Sequence, residues 1–361
     1  MGIFVFLGLL LTGCSNEDFS PEVTTSADAT FKNNPKIPNA GSYVTGGRLF
    51  DLETAPNNDI LIADATRGIL DIYGNLQYEL VQITSVSTVG TGLMWATTGP
   101  RDDDPAGDHG QALYLVQKNR SQLVLNLYDF EVANNPDGGL LESNPYAVEA
   151  ISGNKALVAD AAANDLLRVD RKGNVEVLAI FPEELVSTAN IKNLLGCPTT
   201  EPFPPGPCSF GPQIPAQAVP TSIAIGPDGY YYVGELKGFP SPIGESNIWR
   251  ISPDAYMAEC GNSPDCVKLF DGGFTSIIDL AFDKNGILYV AEMDSMSWFA
   301  MEIGAGVGGT IKACDPETLE CIEVATGIPM LTAITFDKQG RLWATQNSLI
   351  PHLAGVVHVP L

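Results

Sequence analysis

The feature that most constrains this chain is a repeated strand–turn–strand pattern. Three copies are plain, and each joins two apolar runs through a turn that contains Asp and Gly: Pro220–Glu235, Ile277–Glu292 and Leu331–Thr345. Alternating apolar residues on both sides of such a turn are typical of an antiparallel β-hairpin. A hairpin cannot bury its apolar face alone, so repeated hairpins must stack on one another. The pattern therefore predicts an all-β repeat architecture.

Three fainter copies complete the set, at Leu49–Asp64, Val86–Thr97 and Ala147–Asp160. Each of the six hairpins is followed by a third strand, and four of them also by a fourth. Six four-stranded units in 361 residues predict a six-bladed β-propeller. The chain ends on a third strand, so we expect residues near Gly41–Thr45 to supply the missing strand of the last blade. Closing the ring in this way would leave no open sheet edge.

The amino terminus resembles an export signal. Ile3–Leu11 is an apolar run of signal-peptide length, too short to span a bilayer. It leads into Leu-Thr-Gly-Cys14, which resembles the lipobox of bacterial lipoproteins, although no Lys or Arg precedes the apolar run. By that resemblance residues 1–13 are removed and Cys14 is lipidated, with a plain secretory signal as the alternative. Residues 14–40 are polar and predict a flexible tether, and residues 41–361 form the propeller.

The net charge of the chain makes some classes of binding partner unfavourable. Lys and Arg number 19 and Asp and Glu 43, which gives a net charge of −24. Such acidity disfavours nucleic acid and anionic membrane surfaces as partners. We expect a monomer in the bacterial cell envelope that meets the membrane only through the lipid. Helical periodicity is nearly absent, and Pro182–Leu195 is the one segment predicted to hold a short helix.

The remaining six cysteines are consistent with export. They form three close pairs in the sequence: Cys197/Cys208, Cys260/Cys266 and Cys314/Cys321. Other pairings are possible for six cysteines, but local loop closure and hairpin geometry favour these three disulfides. The spacing of paired cysteines in zinc sites is absent. Disulfides are typical of proteins that fold in an oxidising compartment.

Superposing the repeat copies on their turns predicts where polar groups gather. One column of the alignment lies at the end of the second strands and includes Asp64, Thr97, Asp160, Glu235, Glu292 and Thr345. A second column lies at the start of the innermost strands and includes Asp51, Ser222, Asp279 and Thr332. In a propeller both columns belong to one face of the central channel. The sequence therefore predicts up to six carboxylates at one mouth.

Carboxylates gathered at one mouth would raise each other's pKa or require a cation. We expect Ca²⁺ as the candidate ion, with Asp51, Asp64, Asp160, Glu235, Asp279 and Glu292 as candidate ligands. No histidine falls in either column, which disfavours zinc and iron. A hydrated rim without metal is the alternative.

The same face carries the long loops, including an insertion at residues 183–219 between blades three and four. Binding sites commonly lie on such loops. Phe239, Trp298, Phe299 and Gln346 are the candidate ligand-binding residues there, since aromatic rings can stack on a sugar or a planar ligand. The alternative is that these side chains only cover the mouth.

Recognised catalytic motifs are missing from the sequence. It contains no GxSxG, HExxH or P-loop motif, and the acidic run at residues 102–107 lacks the ligands of an EF-hand. The histidines are His109, His352 and His358, and nothing in the sequence pairs any of them with a nucleophile.

Blades four and five resemble a known family. Pro220–Leu236, Gly273–Phe282 and Leu288–Glu292 are similar to segments of the ScyD/ScyE family of exported NHL-like propellers. The resemblance implies the six-bladed fold and export, and it implies no defined activity. The lipobox and the three cysteine pairs depart from the family pattern.

These observations support three functional hypotheses. The first is an envelope-anchored module that binds a small molecule, a polysaccharide or an envelope protein at its acidic mouth. The second is a metal-dependent lactonase or esterase of the gluconolactonase-like type, with Asp160, Glu235, Asp279 and Glu292 as ligands or base. The third is a structural subunit of an envelope complex.

Overall fold

The computed structural model describes residues 47–90, 92–100, 110–117, 120–201 and 203–361, and it confirms the six-bladed β-propeller. Within each blade the strands pair in chain order, antiparallel to one another. The first strands of the six blades contact one another in a closed ring, and the last of them contacts the first. The lipobox, Cys14, the tether and the expected closing strand near Gly41–Thr45 lie outside the described residues.

The strands of the first three blades are as follows. Blade 1 comprises β1 (Leu49–Thr54), β2 (Ile60–Asp64), β3 (Gly68–Asp71) and β4 (Leu76–Glu79). Blade 2 comprises β5 (Ile83–Thr88), β6 (Leu93–Thr98), β7 (Ala112–Gln117) and β8 (Arg120–Asn126). Blade 3 comprises β9 (Pro145–Ser152), β10 (Lys155–Asp160), β11 (Asp165–Asp170) and β12 (Val175–Ile180).

The insertion after blade 3 forms a hairpin, β13 (Glu184–Ser187) with β14 (Gln213–Ala216). Blade 4 comprises β15 (Pro220–Ile225), β16 (Tyr231–Glu235), β17 (Ser246–Ile251) and β19 (Cys266–Phe274); the intervening β18 (Ala258–Glu259) pairs with β12 of blade 3. Blade 5 comprises β20 (Ile277–Phe282), β21 (Leu288–Glu292), β22 (Gly309–Cys314) and β23 (Cys321–Ile328). In its described part, blade 6 comprises β24 (Ile334–Phe336), β25 (Leu342–Gln346) and β26 (Gly355–Val359).

The plain hairpins turn where the sequence predicted. Gly229, Gly286 and Gly340 follow the turn aspartates with φ angles of 80°, 85° and 77°, a left-handed conformation that glycine adopts without strain. In blade 5 the carboxylate of Asp283 accepts hydrogen bonds from the backbone N–H groups of Asn285 and Ile287, at 2.8 and 2.9 Å. These side-chain bonds hold the turn closed.

The helical content differs from the expectation. In the described part of the chain α1 (Leu127–Asn134), α2 (Ala189–Leu194) and α3 (Trp298–Glu302) are α-helical. The expected helix over Pro182–Leu195 is confined to α2, because the preceding residues pair in β13. Helix α1 was not predicted, since its apolar residues follow no clear helical period. No helix among the described residues is long and apolar enough to cross a membrane.

The three predicted disulfides are present, at Cys197–Cys208, Cys260–Cys266 and Cys314–Cys321. Cys260 follows β18, which extends the sheet of blade 3, and Cys266 begins the outer strand of blade 4. This bond therefore ties two adjacent blades together at their outer edges. The apolar core lies between blades, as where buried Trp249 packs against Phe181 with ring centroids 6.1 Å apart.

Candidate functional site

The first strands of all six blades enclose a central cavity of about 440 Å³. Its walls run from Phe50 and Tyr146 at one end to Asp337 and Lys338, in the β24–β25 turn, at the other. Among the described residues, those that line the cavity belong to the first strands, to the segment that leads into β24 and to this turn, and none comes from the long loops. The cavity therefore lies below the loop-rich mouth that the sequence predicted as the site.

A β-bulge shapes the loop-side end of the cavity. The pairing of the first and second strands shifts by one residue at the same place in blades 1 to 5. The bulged residues alternate around the ring: Phe50, Tyr146 and Ile278 come from blades 1, 3 and 5, and Thr84 and Thr221 from blades 2 and 4. Bulges commonly re-aim a side chain in this way.

The threonines at this level join neighbouring blades. The hydroxyls of Thr84 and Thr221 donate to the carbonyl oxygens of Pro145 and Ile277 in the next blade, at 2.6 and 2.7 Å. Thr332 of blade 6 donates in the same manner to Leu49 of blade 1, at 2.9 Å. The alternation therefore gives the ring three blade pairs, each held by one threonine.

Phe50, Tyr146 and Ile278 form what we call the apolar plug. The rings of Phe50 and Tyr146 meet edge to face with centroids 6.1 Å apart. All three side chains belong to an apolar cluster that also contains Leu236 and Trp298 of the loop-rich face. The apolar plug therefore separates the cavity from the long loops.

Below the apolar plug, carboxylates of the first strands bond to the neighbouring blade. Asp51 accepts hydrogen bonds from the Ser85 hydroxyl at 2.7 Å and from the Val86 N–H at 2.9 Å. Asp279 accepts from the Ile334 N–H at 2.7 Å. The inner edge of each first strand has no further strand to pair with. These side chains therefore take the place of a ladder partner.

A second level of the same kind lies two residues further along the strands. Glu53 accepts from the backbone N–H and the hydroxyl of Thr88, at 2.8 and 2.7 Å. Glu149 of blade 3 accepts from the Ser87 hydroxyl at 3.3 Å. Since strand side chains repeat every two residues, Glu53 lies on the same face of β1 as Asp51. We call Asp51, Glu53, Glu149 and Asp279 the cavity carboxylates.

The cavity carboxylates have raised pKa values. Burial raises the pKa of Glu53 to about 7 and that of Asp51 above its usual range. Burial also places the pKa values of Glu149 and Asp279 well above the ordinary range, and the charge of Asp51 raises both further. Each loses solvation on burial and faces like charges, and both effects disfavour the ionised form.

Little positive charge opposes these groups. Of the described residues that line the cavity, Lys338 is the one Lys or Arg, and its ammonium group donates to the carbonyl oxygen of Pro56 at the far end. Within the described part of the chain, no group of three or more His, Cys, Asp or Glu side chains is arranged to hold a metal ion. The calcium site therefore stays a prediction. The cavity is an acidic space suited to hydrogen-bond donors.

The two columns predicted from the sequence separate in the structure. Asp51 and Asp279 line the cavity, whereas the described ends of the second strands, with Asp64, Asp160, Glu235 and Glu292, do not. Blade 2 also shifts the alignment by one residue, because Thr98 and not Thr97 pairs at the level of Asp64. The sequence copies were aligned on their turns, and the glycine-rich turn of blade 2 lacks the Asp that fixes the alignment in the plain copies.

The carboxylates at the ends of the second strands each have local donors. Asp64 accepts from the backbone N–H groups of Thr66 and Arg67 at 2.9 and 3.1 Å. Asp160 accepts from the Asn144 N–H at 2.6 Å and from the Ser143 hydroxyl. Asp160 also accepts from the backbone N–H groups of Ala162 and Ala163 at 3.2 Å, so both aspartates hold the turns that follow their strands.

The two glutamates of this column bind lysines. Glu235 lies 2.6 Å from the ammonium group of Lys237, and both side chains are fully buried. Glu292 lies 3.0 Å from that of Lys312 and accepts from the Thr275 N–H at 2.6 Å. We call Asp64, Asp160, Glu235 and Glu292 the blade-end carboxylates. Glu235 and Glu292 thus have a local counter-charge, whereas Asp64 and Asp160 have local hydrogen-bond donors.

The candidate ligand-binding residues lie above the apolar plug. Trp298 is 5% exposed, and its indole N–H donates to the carbonyl oxygen of Lys237 at 3.0 Å. Phe239 and Phe299 are partly buried against the same apolar cluster. Gln346 is buried at the end of β25. Trp298 packs in the same apolar cluster as the apolar plug, and a role in ligand binding stays a prediction for all four residues.

Glu53, Glu149 and Tyr146 are cavity residues that the sequence analysis missed. The signal was present for Glu53, which follows Asp51 by two residues on the same strand. Glu149 lies at the equivalent place in blade 3, where Ala147 takes the position of Asp51. A column two residues along the first strands would have identified both glutamates.

Comparisons with known proteins give the fold and no family. No protein-family model matches the chain, and no curated protein matches its sequence. The chain is similar to the putative oxidoreductase (glucose dehydrogenase) of Thermus thermophilus, with TM-score 0.50, 15% identity, and coverage of 89% of this chain and 98% of that one. It also matches virginiamycin B lyase of Staphylococcus aureus, with TM-score 0.49, 13% identity, and coverage of 88% and 85%.

A third match is the extracellular domain of a putative hybrid two-component system of B. thetaiotaomicron, with TM-score 0.46 and 12% identity. That match covers 87% of this chain and 33% of the other. At such low identity a structural match shows the fold alone. The chain is a six-bladed β-propeller, and its resemblance to the ScyD/ScyE family stays a prediction.

Proposed function

We propose that this chain is an exported binding protein of the cell envelope that holds a small cationic ligand in its central cavity. The observation that carries the proposal is the group of four cavity carboxylates, opposed only by Lys338 among the described lining residues. A volume of about 440 Å³ is within the range of small-molecule sites. An ammonium group among these half-buried carboxylates would gain charge-assisted hydrogen bonds.

The chemistry of the cavity wall also indicates which class of cationic ligand would fit. A bound cation would favour the ionised form of the cavity carboxylates, which then only accept hydrogen bonds, so the ligand has to supply donors. Amino sugars combine one ammonium group with several hydroxyl donors, and we propose that the ligand of the central cavity belongs to this class. Ca²⁺ is the alternative occupant, and an envelope protein docked on the loop-rich face is the alternative partner.

The three disulfides support folding in an oxidising compartment. Anchoring through a lipidated Cys14 and membership of the ScyD/ScyE family are parts of the same proposal. Labelling cells with a radioactive fatty acid and comparing the chain with its Cys14→Ser variant tests the anchor. Label that persists in the variant would contradict it.

The test of the binding site compares two ligands that differ by one amine. Glucosamine and glucose are titrated into the purified protein by calorimetry at about 0.15 M salt, where screening weakens non-specific attraction to the acidic surface. We expect glucosamine to bind at least about tenfold more tightly than glucose, because one charge-assisted bond contributes about 1.5 to 3 kcal/mol. The double variant Asp51→Asn/Asp279→Asn should lose the preference, whereas the matched surface variant Asp283→Asn should keep it.

Equal affinities of the two sugars in the unmodified protein would overturn the proposal. Loss of the preference in Asp283→Asn would also count against it, since that side chain holds the β20–β21 turn and does not line the cavity. Circular dichroism of each variant establishes that the fold is retained.

A hydrolase is the second candidate, and the pKa of Glu53 favours it. A carboxyl group whose pKa is raised to about 7 can both take up and release a proton near neutral pH. The test is hydrolysis of glucono-1,5-lactone, measured above the spontaneous rate, with Glu53→Gln as the comparison. Rates equal to the uncatalysed reaction would exclude this activity for that lactone.

A further inference from the structure

A second acidic group lies away from the cavity, beneath helix α1. Helix α1 follows blade 2, and its first residue, Leu127, donates its backbone N–H to the carbonyl oxygen of Gln111 at 2.8 Å. Glu131, one turn further on, is 1% exposed although it carries a carboxylate. Long acidic side chains are almost never buried to this degree without a partner.

Blade 3 supplies the second carboxylate. Asp165 begins β11, directly opposite Asp160 at the end of β10, and it is 0% exposed. The loop after α1 reaches the same place, because Asp137 accepts a hydrogen bond from the side-chain amide of Asn164 at 3.3 Å. The charges of Glu131, Asp137 and Asp160 all act on Asp165. Helix α1 and blade 3 therefore bring two buried carboxylates within electrostatic reach of each other.

These carboxylates are without hydrogen-bond partners. Both side-chain oxygens of Glu131 and both of Asp165 are buried and unpartnered. The side-chain carbonyl oxygens of Gln111 and Asn135 are buried and unpartnered as well. Gln111 bonds to the first turn of α1 and Asn135 donates its N–H to the carbonyl oxygen of Glu131 at 2.8 Å, so both residues flank Glu131. Six buried side-chain oxygens of helix α1, of blade 3 and of the residues bonded to the ends of the helix thus lack donors.

A buried carboxylate without a donor is costly unless it gains a proton or a cation. Burial raises the pKa of Glu131 to about 8, and burial together with the charge of Asp160 raises that of Asp165 well above its ordinary range. One proton shared by the pair would satisfy one oxygen of each carboxylate and leave the other two without a donor. The unpartnered amide oxygens would remain without a donor. A cation with several oxygen ligands would satisfy all four side chains.

We propose that Glu131 and Asp165 bind a Ca²⁺ ion between helix α1 and blade 3, with the side-chain oxygens of Gln111 and Asn135 as further ligands. Two carboxylates match the charge of the ion, and Ca²⁺ takes six to eight oxygen ligands, which include waters and amide carbonyls. The ion fastens the helix to the propeller. This site is separate from the central cavity and does not depend on the proposed function.

The test is thermal unfolding of the purified full-length protein at pH 7.5, first in EDTA and then with Ca²⁺ added. At calcium about a hundredfold above its dissociation constant we expect the Tm to rise by roughly 5 °C. Glu131→Gln and Asp165→Asn should each abolish the rise. The matched control Asp279→Asn, in the central cavity, should retain it. Mg²⁺ should act more weakly, because it needs a more regular shell of ligands.

Calorimetric titration with Ca²⁺ keeps the test decisive where a variant changes the basal stability. The affinity of the unmodified protein should fall by about tenfold or more in Asp165→Asn and be unchanged in Asp279→Asn. Absence of any calcium binding, or binding that survives in both Glu131→Gln and Asp165→Asn, would overturn the proposal and assign the pair a shared proton. Loss of binding in Asp279→Asn alone would also overturn it, because calcium would then occupy the central cavity.

Discussion

The cavity carboxylates and the two blade-end glutamates, Glu235 and Glu292, arise from the same repeat, yet they hold their charge in opposite ways. Glu235 and Glu292 each lie within 3.0 Å of a lysine ammonium group. The cavity carboxylates bond to hydroxyls and strand-edge N–H groups and share one space. Their mutual repulsion is therefore not cancelled within the described cavity. The difference indicates that an acidic position in the repeat is a candidate for binding a cation where it lines the cavity and has no lysine or arginine partner.

Of the variants considered, we expect the greatest loss of stability from removing the charge of Glu235 at its blade end. Glu235→Gln should lower the free energy of unfolding by about 3 to 5 kcal/mol, because it leaves the fully buried Lys237 with a missing counter-charge. Denaturant unfolding measures the change. The double variant Glu235→Leu/Lys237→Met is the control, and it should recover much of the loss since it removes both charges. A single variant as stable as the unmodified protein would show that Glu184, 2.7 Å from Lys237, suffices as the partner.

The second effect is the pH dependence that the cavity carboxylates produce. The pKa of Glu53 is about 7 in the folded protein and near its usual value when unfolded, so the folded state binds more protons between these two values. The stabilisation that protonated Glu53 contributes should therefore be fully present below about pH 4.5. It should be lost as the pH rises through 7, which lowers the free energy of unfolding by on the order of 3 kcal/mol. Unfolding by denaturant in EDTA at pH 5 and pH 8 measures the difference.

Glu53→Gln is the variant that isolates this effect, because glutamine keeps an acceptor for Thr88 and does not titrate. Its stability should change less between pH 5 and pH 8 than that of the unmodified protein. Glu292→Gln, at a blade end, should retain more of the change in stability between pH 5 and pH 8 than Glu53→Gln does. A protein that grows more stable over this pH range would contradict the account.

The smallest expected effect is that of Asp279→Asn. Asparagine retains a side-chain oxygen for the Ile334 N–H and removes one of the like charges that face Asp51. The stability at pH 8 should therefore stay within about 1 kcal/mol of the unmodified protein or rise slightly. Denaturant unfolding at pH 8 is the measurement, and a loss above about 3 kcal/mol would mean that Asp279 has an unrecognised positive partner.

The hairpin copies predicted the blades because hairpin periodicity and turn residues are local properties of the sequence. Blade count, the third strands and the three disulfides followed from them. The outer strand β19 was missed, since its Gly272 and Gly273 interrupt the apolar alternation. The partner of Glu235 was also missed. Lys237 follows two residues later, but its burial depends on Glu184 in the distant insertion.

The candidate site was predicted in part. The second alignment column identified Asp51 and Asp279, because the start of the first strand is fixed by the turn. It could not show that an apolar plug separates them from the loops, since the bulge that turns Phe50 and Tyr146 together is a tertiary feature. Nor could it find Glu131 and Asp165, which a helix outside the repeat brings together.

A crystal structure of the protein grown with glucosamine would show directly whether the central cavity binds the amine. We expect the amine nitrogen to lie within hydrogen-bond distance of Asp51 or Asp279, below the apolar plug and inside the central cavity. Electron density for the sugar on the loop-rich face, beside Phe239 or Phe299, would contradict binding in the central cavity. It would place the binding site at the channel mouth instead.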